Sequence, residues 1–464
     1  MKKKTFPALL LKALLFSAIV CATLAITDRT GWFEADRANN HTEKKWNAFY
    51  DLTKHDKVDM VLVGNSRMYT GLNPNHLSNA LDATCFILAS PGTNIVDSYF
   101  CLKEALTRTK PKIAVIETFT IYDADNHELQ GQDLSDQFKS FSARRNVWQK
   151  MCSLPVLFAP DHWLEALSTT VRNHSFIFRD FKQIKTNVKL SKQPKKDEGL
   201  YLGRFVRFNT GIEQNVLDRY EKEGAPLVET GFKVSRQHAR YVKKIIELCR
   251  KNGVTPVFIS LPVYNKHIKD HDVRHKAIAE LLEPEKVLWL DYQGRFDSLF
   301  TPECFENTYS PNQHMTYDGS LVATYILAAA IDTECPGLLP DRMSEPRWKR
   351  MFYGGEGYYE NHTPDPDDKS VRILPVMDNP IVSEALYAHD HNTNVLIVKT
   401  PLESEYAGLS LACDITFGGE RGMVRLDIPH SSTIFPLHHN LYMMFLKKEL
   451  TVNAILACEP IQPE

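Results

Sequence analysis

Three short apolar runs, at 58–63, 84–89 and 113–116, constrain this chain more than any other feature. Each lacks polar alternation and ends near turn residues. Such runs are strands covered on both faces. Asn73-Pro74 opens a helical stretch to 81 between the first two. From 95 to 107, Ile95, Tyr99, Leu102 and Leu106 fall on one helical face, and Lys110-Pro111 ends it. Strand, helix, strand, helix, strand in this order predicts a parallel sheet with right-handed crossovers.

The alternation breaks between 122 and 235, a stretch rich in charged and aromatic residues. It reads as a helical insertion, with a basic loop at 192–196. The pattern returns with an amphipathic helix at 236–251, closed by Asn252-Gly253. Strands at 255–261 and 287–291 and a helix at 318–331 complete a five-strand doubly wound α/β domain over 58–335. Residues 356–369, rich in Gly, Pro, Asp and Tyr, mark a linker. Short alternating runs separated by turns then predict a β-sandwich-like domain over 371–464.

Lys2, Lys3 and Lys4 precede an apolar stretch from 6 to 26. This predicts a signal peptide or a membrane anchor within residues 1–30, with the body of the chain exported. Thr23-Leu24-Ala25 is a tolerable cleavage site; Val20 before Cys21 argues against a lipoprotein signal. A buried N-terminal helix is the bland alternative. Export would permit disulfides. Eight cysteines beyond Cys21 are scattered, without a CxxC, so a compact zinc site is not expected. Cys304 and Cys335 flank one loop and could be bridged. The net charge of -2, from 55 basic and 57 acidic residues, gives no support for nucleic-acid binding.

Ligands of open parallel sheets bind at the carboxyl ends of strands. The first strand is followed by Gly64-Asn65-Ser66-Arg67, the second by Ser90-Pro91-Gly92-Thr93-Asn94, and the fifth by a loop reaching His314. A serine, a glycine turn and a histidine thus converge on one rim. Acyl transfer needs a hydroxyl nucleophile, a base and oxyanion donors. Ser66 and His314 supply the first two. Backbone N–H groups of Ser66 and Gly92, with the Asn94 side chain, are the expected oxyanion donors. A turn after a strand, or a histidine before a helix, is by itself more often purely structural.

Val61-Leu62-Val63-Gly64-Asn65-Ser66-Arg67 followed by Gly71-Leu72-Asn73-Pro74 resembles the first block of SGNH/GDSL-type hydrolases, in particular their cell-envelope branch. Ala89-Ser90-Pro91-Gly92 and His314 with Asp318-Gly319 resemble later blocks. The resemblance covers about 58–120 and 236–335. It implies a flavodoxin-like, SGNH-like sheet, with Ser66 as nucleophile, His314 as base and Gly92 as oxyanion donor. It implies an exported serine esterase or O-acyltransferase acting on ester groups, O-acetyl among them, of an envelope polysaccharide. A small acyl ester as substrate and a membrane acyltransferase as partner fit that reading; no cofactor or metal is implied.

The chain departs from the family pattern. Asn65 stands where the family usually has Asp, and Glu117-Thr118-Phe119 replaces the Gly-x-Asn-Asp block. Pro311 occupies the position of the usual acid before the histidine. Asn312 is then the expected orienter of His314, as a triad partner, with Glu306 as the alternative if its loop folds back. These departures keep a second function in view: a catalytically silent binding or assembly protein for envelope polysaccharide. His389-Asp390-His391 and His438-His439 read as surface turns, although such groups can bind metal. Trp148, Trp163, Tyr358 and Tyr359 could line a sugar-binding face or serve as core and interface residues.

Overall fold

Strands β1 (Met60–Val63), β2 (Cys85–Ile87), β3 (Ile113–Glu117), β4 (Thr255–Ser260) and β5 (Leu288–Asp291) form one parallel sheet in the order β2-β1-β3-β4-β5. The structure is a computed structural model. It describes residues 5–34, 40–55, 57–81, 83–121, 124–175, 181–191, 202–204, 211–226, 232–264, 271–295, 300–310, 314–339, 371–377, 379–390, 393–401, 406, 408–429, 441–446 and 450–461. The α/β class and the five-strand sheet agree with the expectation.

The absence of polar alternation in the strands has a direct cause. Met60 and Leu62 enter one core with Ile87, Val115 and Ile259, while Val61 and Val63 enter another with Phe86, Ile116 and Phe258. Successive side chains of a strand point to opposite faces, and here both faces are covered. The helices Pro74–Ala80 and Tyr317–Glu334 supply Leu77, Ala323 and Leu327 to the first core. The helices Ile95–Ala105 and Arg236–Lys251 supply Phe100, Leu102, Val242 and Ile246 to the second. β1 is flanked by β2 on one side and β3 on the other, so the strand order reverses there. The crevice at the carboxyl ends of these strands is where such sheets take ligands.

Two helices were not evident from the pattern. Ser66–Gly71 follows β1 at once, where the sequence reads as a turn. His271–Leu282 stands between β4 and β5 and buries Arg274, Ile278 and Leu282. Before the sheet, the helix His41–His55 buries Trp46 and Phe49, the latter against Phe86. The region after β3 carries helices Gly131–Ala143, Val147–Leu157, Trp163–Leu167, Thr169–Asn173, Phe181–Ser191 and Gln214–Glu223. Phe138, Phe141, Leu154 and Phe158 from these join the second core.

The helix Thr5–Thr30 contains the stretch Ala8–Thr30, with mean hydropathy 2.4 and none of it buried. It is long and apolar enough to cross a membrane. Its far end is fastened to the folded chain: Asp28 Oδ1 accepts from the Thr170 N–H at 2.8 Å and from the Thr169 hydroxyl at 2.9 Å.

From Val371 onward follow the strands β6 (Val371–Ile373), β7 (Glu384–Asp390), β8 (Thr393–Lys399), β9 (Gly408–Phe417), β10 (Glu420–Pro429), β11 (Leu441–Leu446) and β12 (Leu450–Ile461). They form two antiparallel sheets, β11-β8-β7-β6 and β10-β9-β12, which share a core. Leu396, Val398 and Tyr442 from one sheet meet Leu409, Leu411 and Ile455 from the other. All nine cysteines are free, so the Cys304–Cys335 bridge is not formed; Cys304 lies in the first core instead.

Candidate functional site

The exit of β1 is built around a close approach. A Cβ on Gly64 would sit 2.7 Å from Glu117 Cβ and 3.1 Å from Met68 Cβ, so β1 and the end of β3 can meet only with glycine there. Asn65 then caps the helix Ser66–Gly71, its side chain accepting from the Arg67 N–H at 3.0 Å. This is the physical role of the residue that stands in place of an acid. Ser66 is half-buried at the start of the helix, and its hydroxyl makes no hydrogen bond among the described residues.

Behind Ser66 lies a charged cluster at the end of β3. The guanidinium groups of Arg67 and Arg274 pack on the Phe119 ring, at 4.3 and 3.9 Å from its centre. Arg274 also donates to the Thr118 carbonyl at 2.9 Å. Glu117 is fully buried beside them, and neither carboxylate oxygen closes a hydrogen bond among the described residues. Burial pushes its carboxyl up to about 7, and the nearby Phe119 N–H and the Arg274 and Arg67 charges pull it back only in part.

His314 and Glu306 are brought together by a short antiparallel pairing. The Glu306 N–H donates to the His314 carbonyl at 2.9 Å, and the Thr316 N–H to the Cys304 carbonyl at 3.0 Å. This sets His314 Nδ1 3.5 Å from Glu306 Oε2, with both side chains largely buried. The other ring nitrogen, Nε2, is buried and has no hydrogen-bond partner among the described residues. Met315, the next residue, lies 3.2 Å from the Cβ position of Gly71, at the far end of the Ser66 helix. Met315 thus packs against the helix that Ser66 begins, while Ser66 and His314 are not hydrogen-bonded to each other. Asn312 lies outside the described residues, as do His391, His438, His439, Tyr358, Tyr359 and the basic loop at 192–196.

The expected oxyanion donors divide. Gly92 sits at the β2 exit with φ +58, and the Asp136 and Asp133 carboxylates lie 3.2 and 3.3 Å from its Cβ position. Asn94 is fully buried and caps the helix Ile95–Ala105, accepting from the Val96 N–H at 3.1 Å and donating to Asn126 Oδ1 at 3.0 Å. The structure thus gives Asn94 a capping role in place of the expected oxyanion role, because its amide is committed inside the protein. Lys45, fully buried, comes from the helix His41–His55 to donate to the Ala89 carbonyl, and its ammonium lies 4.3 Å from the centre of the Tyr69 ring. Burial draws its ammonium down to about 7.

A further cluster escaped the sequence reading. His271 Nε2 and His275 Nδ1 both reach Asp291 Oδ2, at 3.0 and 2.7 Å. They border a pocket lined by Phe119, Ser260, Arg274, Trp289 and Gln293. The signal was available: His271 and His275 are four residues apart, so a helix places both on one side, and Asp291 ends a strand. It was missed because no helix was expected over these residues.

No family model matches the chain, and no curated protein matches its sequence.

Proposed function

We propose that this chain is an exported, membrane-anchored serine esterase or O-acyltransferase of SGNH type, acting on ester groups of a cell-envelope polysaccharide. The observation that carries the reading is the Glu306–His314 pair. A buried carboxylate faces Nδ1 while Nε2 meets no hydrogen-bond partner among the described residues. That is the arrangement of an imidazole held ready to take a proton. It lies beside the helix that begins with Ser66, at the ligand-binding end of a parallel sheet.

In this mechanism Ser66 Oγ attacks the ester carbonyl carbon and His314 Nε2 takes the hydroxyl proton. Glu306 fixes the Nδ1–H tautomer and stabilises the imidazolium. Backbone N–H groups of Ser66 and Gly92 receive the oxyanion. The tetrahedral adduct collapses as His314 returns the proton to the departing alcohol oxygen. Water, or a sugar hydroxyl in transfer, then attacks the acyl-Ser66 ester with His314 again as base. The Ser66–His314 hydrogen bond closes when substrate is present, since such contacts are often long in the free enzyme. The apolar helix Thr5–Thr30 would hold the site outside the membrane face.

A second reading, a silent polysaccharide-binding or assembly protein, is favoured by two observations. Ser66 Oγ and His314 Nε2 are unjoined, and the Asp133 and Asp136 carboxylates stand beside Gly92, where an oxyanion would be repelled. A serine-reactive fluorophosphonate and a chromogenic acetyl ester separate the two. Labelling and turnover lost in Ser66→Ala support the enzyme. Absence of both in the native chain, with retained polysaccharide binding, establishes the binding protein.

A further inference from the structure

We infer that His271, His275 and Asp291 form a binding site for a divalent transition-metal ion of the zinc class. The two imidazoles come from one side of the helix His271–Leu282 and the carboxylate from the end of β5. The three ligand atoms lie within 4.8 Å of one another. Both nitrogens converge on the same oxygen of Asp291. The other oxygen, Oδ1, is buried with no hydrogen-bond partner among the described residues. A carboxylate so buried is costly, and a cation bound at Oδ2 would offset its charge.

Two nitrogens and one carboxylate are the donor set of open zinc sites, which keep a fourth position for water or substrate. Bond lengths near 2.0–2.2 Å put neighbouring donors about 3.3 Å apart in a tetrahedral site. The separations of 3.0 and 2.7 Å from Asp291 would lengthen by about half an ångström, and the two imidazoles, now within 4.8 Å of each other, would close to the same spacing. His275, 48% exposed, has room to do so. Arg274, between the two ligands in sequence, ties the helix to Thr118 and Phe119, and the Trp289 ring lies 4.7 Å from the His275 ring. Such outer contacts hold ligands in place. The open position would face the pocket, where water or a substrate atom would fill it, since Ser260 is bonded to Thr118 and Trp289 and Gln293 accepts from the Val263 N–H. This site does not depend on the esterase reading.

The test uses the full chain freed of metal with a chelator, titrated calorimetrically with Zn2+ and spectroscopically with Co2+. One Zn2+ per chain and visible Co2+ d–d bands are expected. His275→Ala and Asp291→Asn should each weaken binding by at least about tenfold. His275→Ala lies at a half-exposed position, so it keeps the test valid if Asp291→Asn misfolds, which circular dichroism would report. Failure to bind, or binding unchanged by His275→Ala, overturns the site. In that case the histidines only fasten their helix to β5. Loss of binding in His438→Ala instead would move the metal elsewhere and equally overturn it.

Discussion

Glu306 faces His314 because their backbones pair: the Glu306 N–H donates to the His314 carbonyl, and the side chains meet on the same side at 3.5 Å. Two residues that sequence spacing leaves at opposite ends of a loop thus become one unit. One nitrogen of His314 thus stands beside a buried carboxylate, and the other has no hydrogen-bond partner among the described residues.

If Glu306 orients His314, Glu306→Gln should lower ester turnover by roughly 10²–10⁴-fold, because the wrong tautomer is then favoured. Asn312→Ala should change it little. Circular dichroism would show both variants folded. The reverse ranking would return the orienting role to Asn312.

Glu117 should make stability pH-dependent. Its folded value of about 7 lies above the usual 4.5. Between these values the folded chain holds a proton that the unfolded chain has lost. The contribution is full below 4.5 and disappears as pH rises through 7. Its size is on the order of 3 kcal/mol. Glu117→Gln should therefore gain stability relative to the native chain between pH 4 and pH 8. Denaturant titrations at the two pH values check this; a parallel response would refute it.

Lys45 acts over a different window. Its folded value of about 7 lies below the usual 10.5, so between them the unfolded chain holds the extra proton. Its contribution is present above 10.5 and is lost as pH falls through 7. Lys45→Met should therefore show its largest relative gain near pH 6 and its smallest near pH 10, read as the difference in Tm.

Gly64→Ala should destabilise the fold by about 1–3 kcal/mol, the usual effect of overpacking. The new Cβ meets Glu117 Cβ, part of a buried strand end that cannot swing away. Thermal unfolding measures it, and an unchanged Tm would show that β1 and β3 can separate locally.

An alkaline-phosphatase reporter fused after Glu34 should be active outside the cytoplasm if the helix Thr5–Thr30 inserts with Lys2, Lys3 and Lys4 inside. Activity of a cytoplasm-only reporter at that position would overturn export and, with it, the polysaccharide substrate.

The sequence by itself determined the sheet. Met60–Val63 and the runs 113–116 and 257–259 are buried on both faces, and apolar side chains meet that condition without needing polar partners. Strand burial is a local property, so it is written locally. The apolar helix at the N-terminus is legible for the same reason. The tertiary structure alone decided which side chains meet. Glu306 reaches His314 through a backbone pairing, and Asn94 turns inward because the helix it starts needs its amide. His271 and His275 meet Asp291 because the helix His271–Leu282 packs beside β5. Each of these contacts joins residues from different elements, and their distances depend on how the elements pack, which no spacing along the chain records.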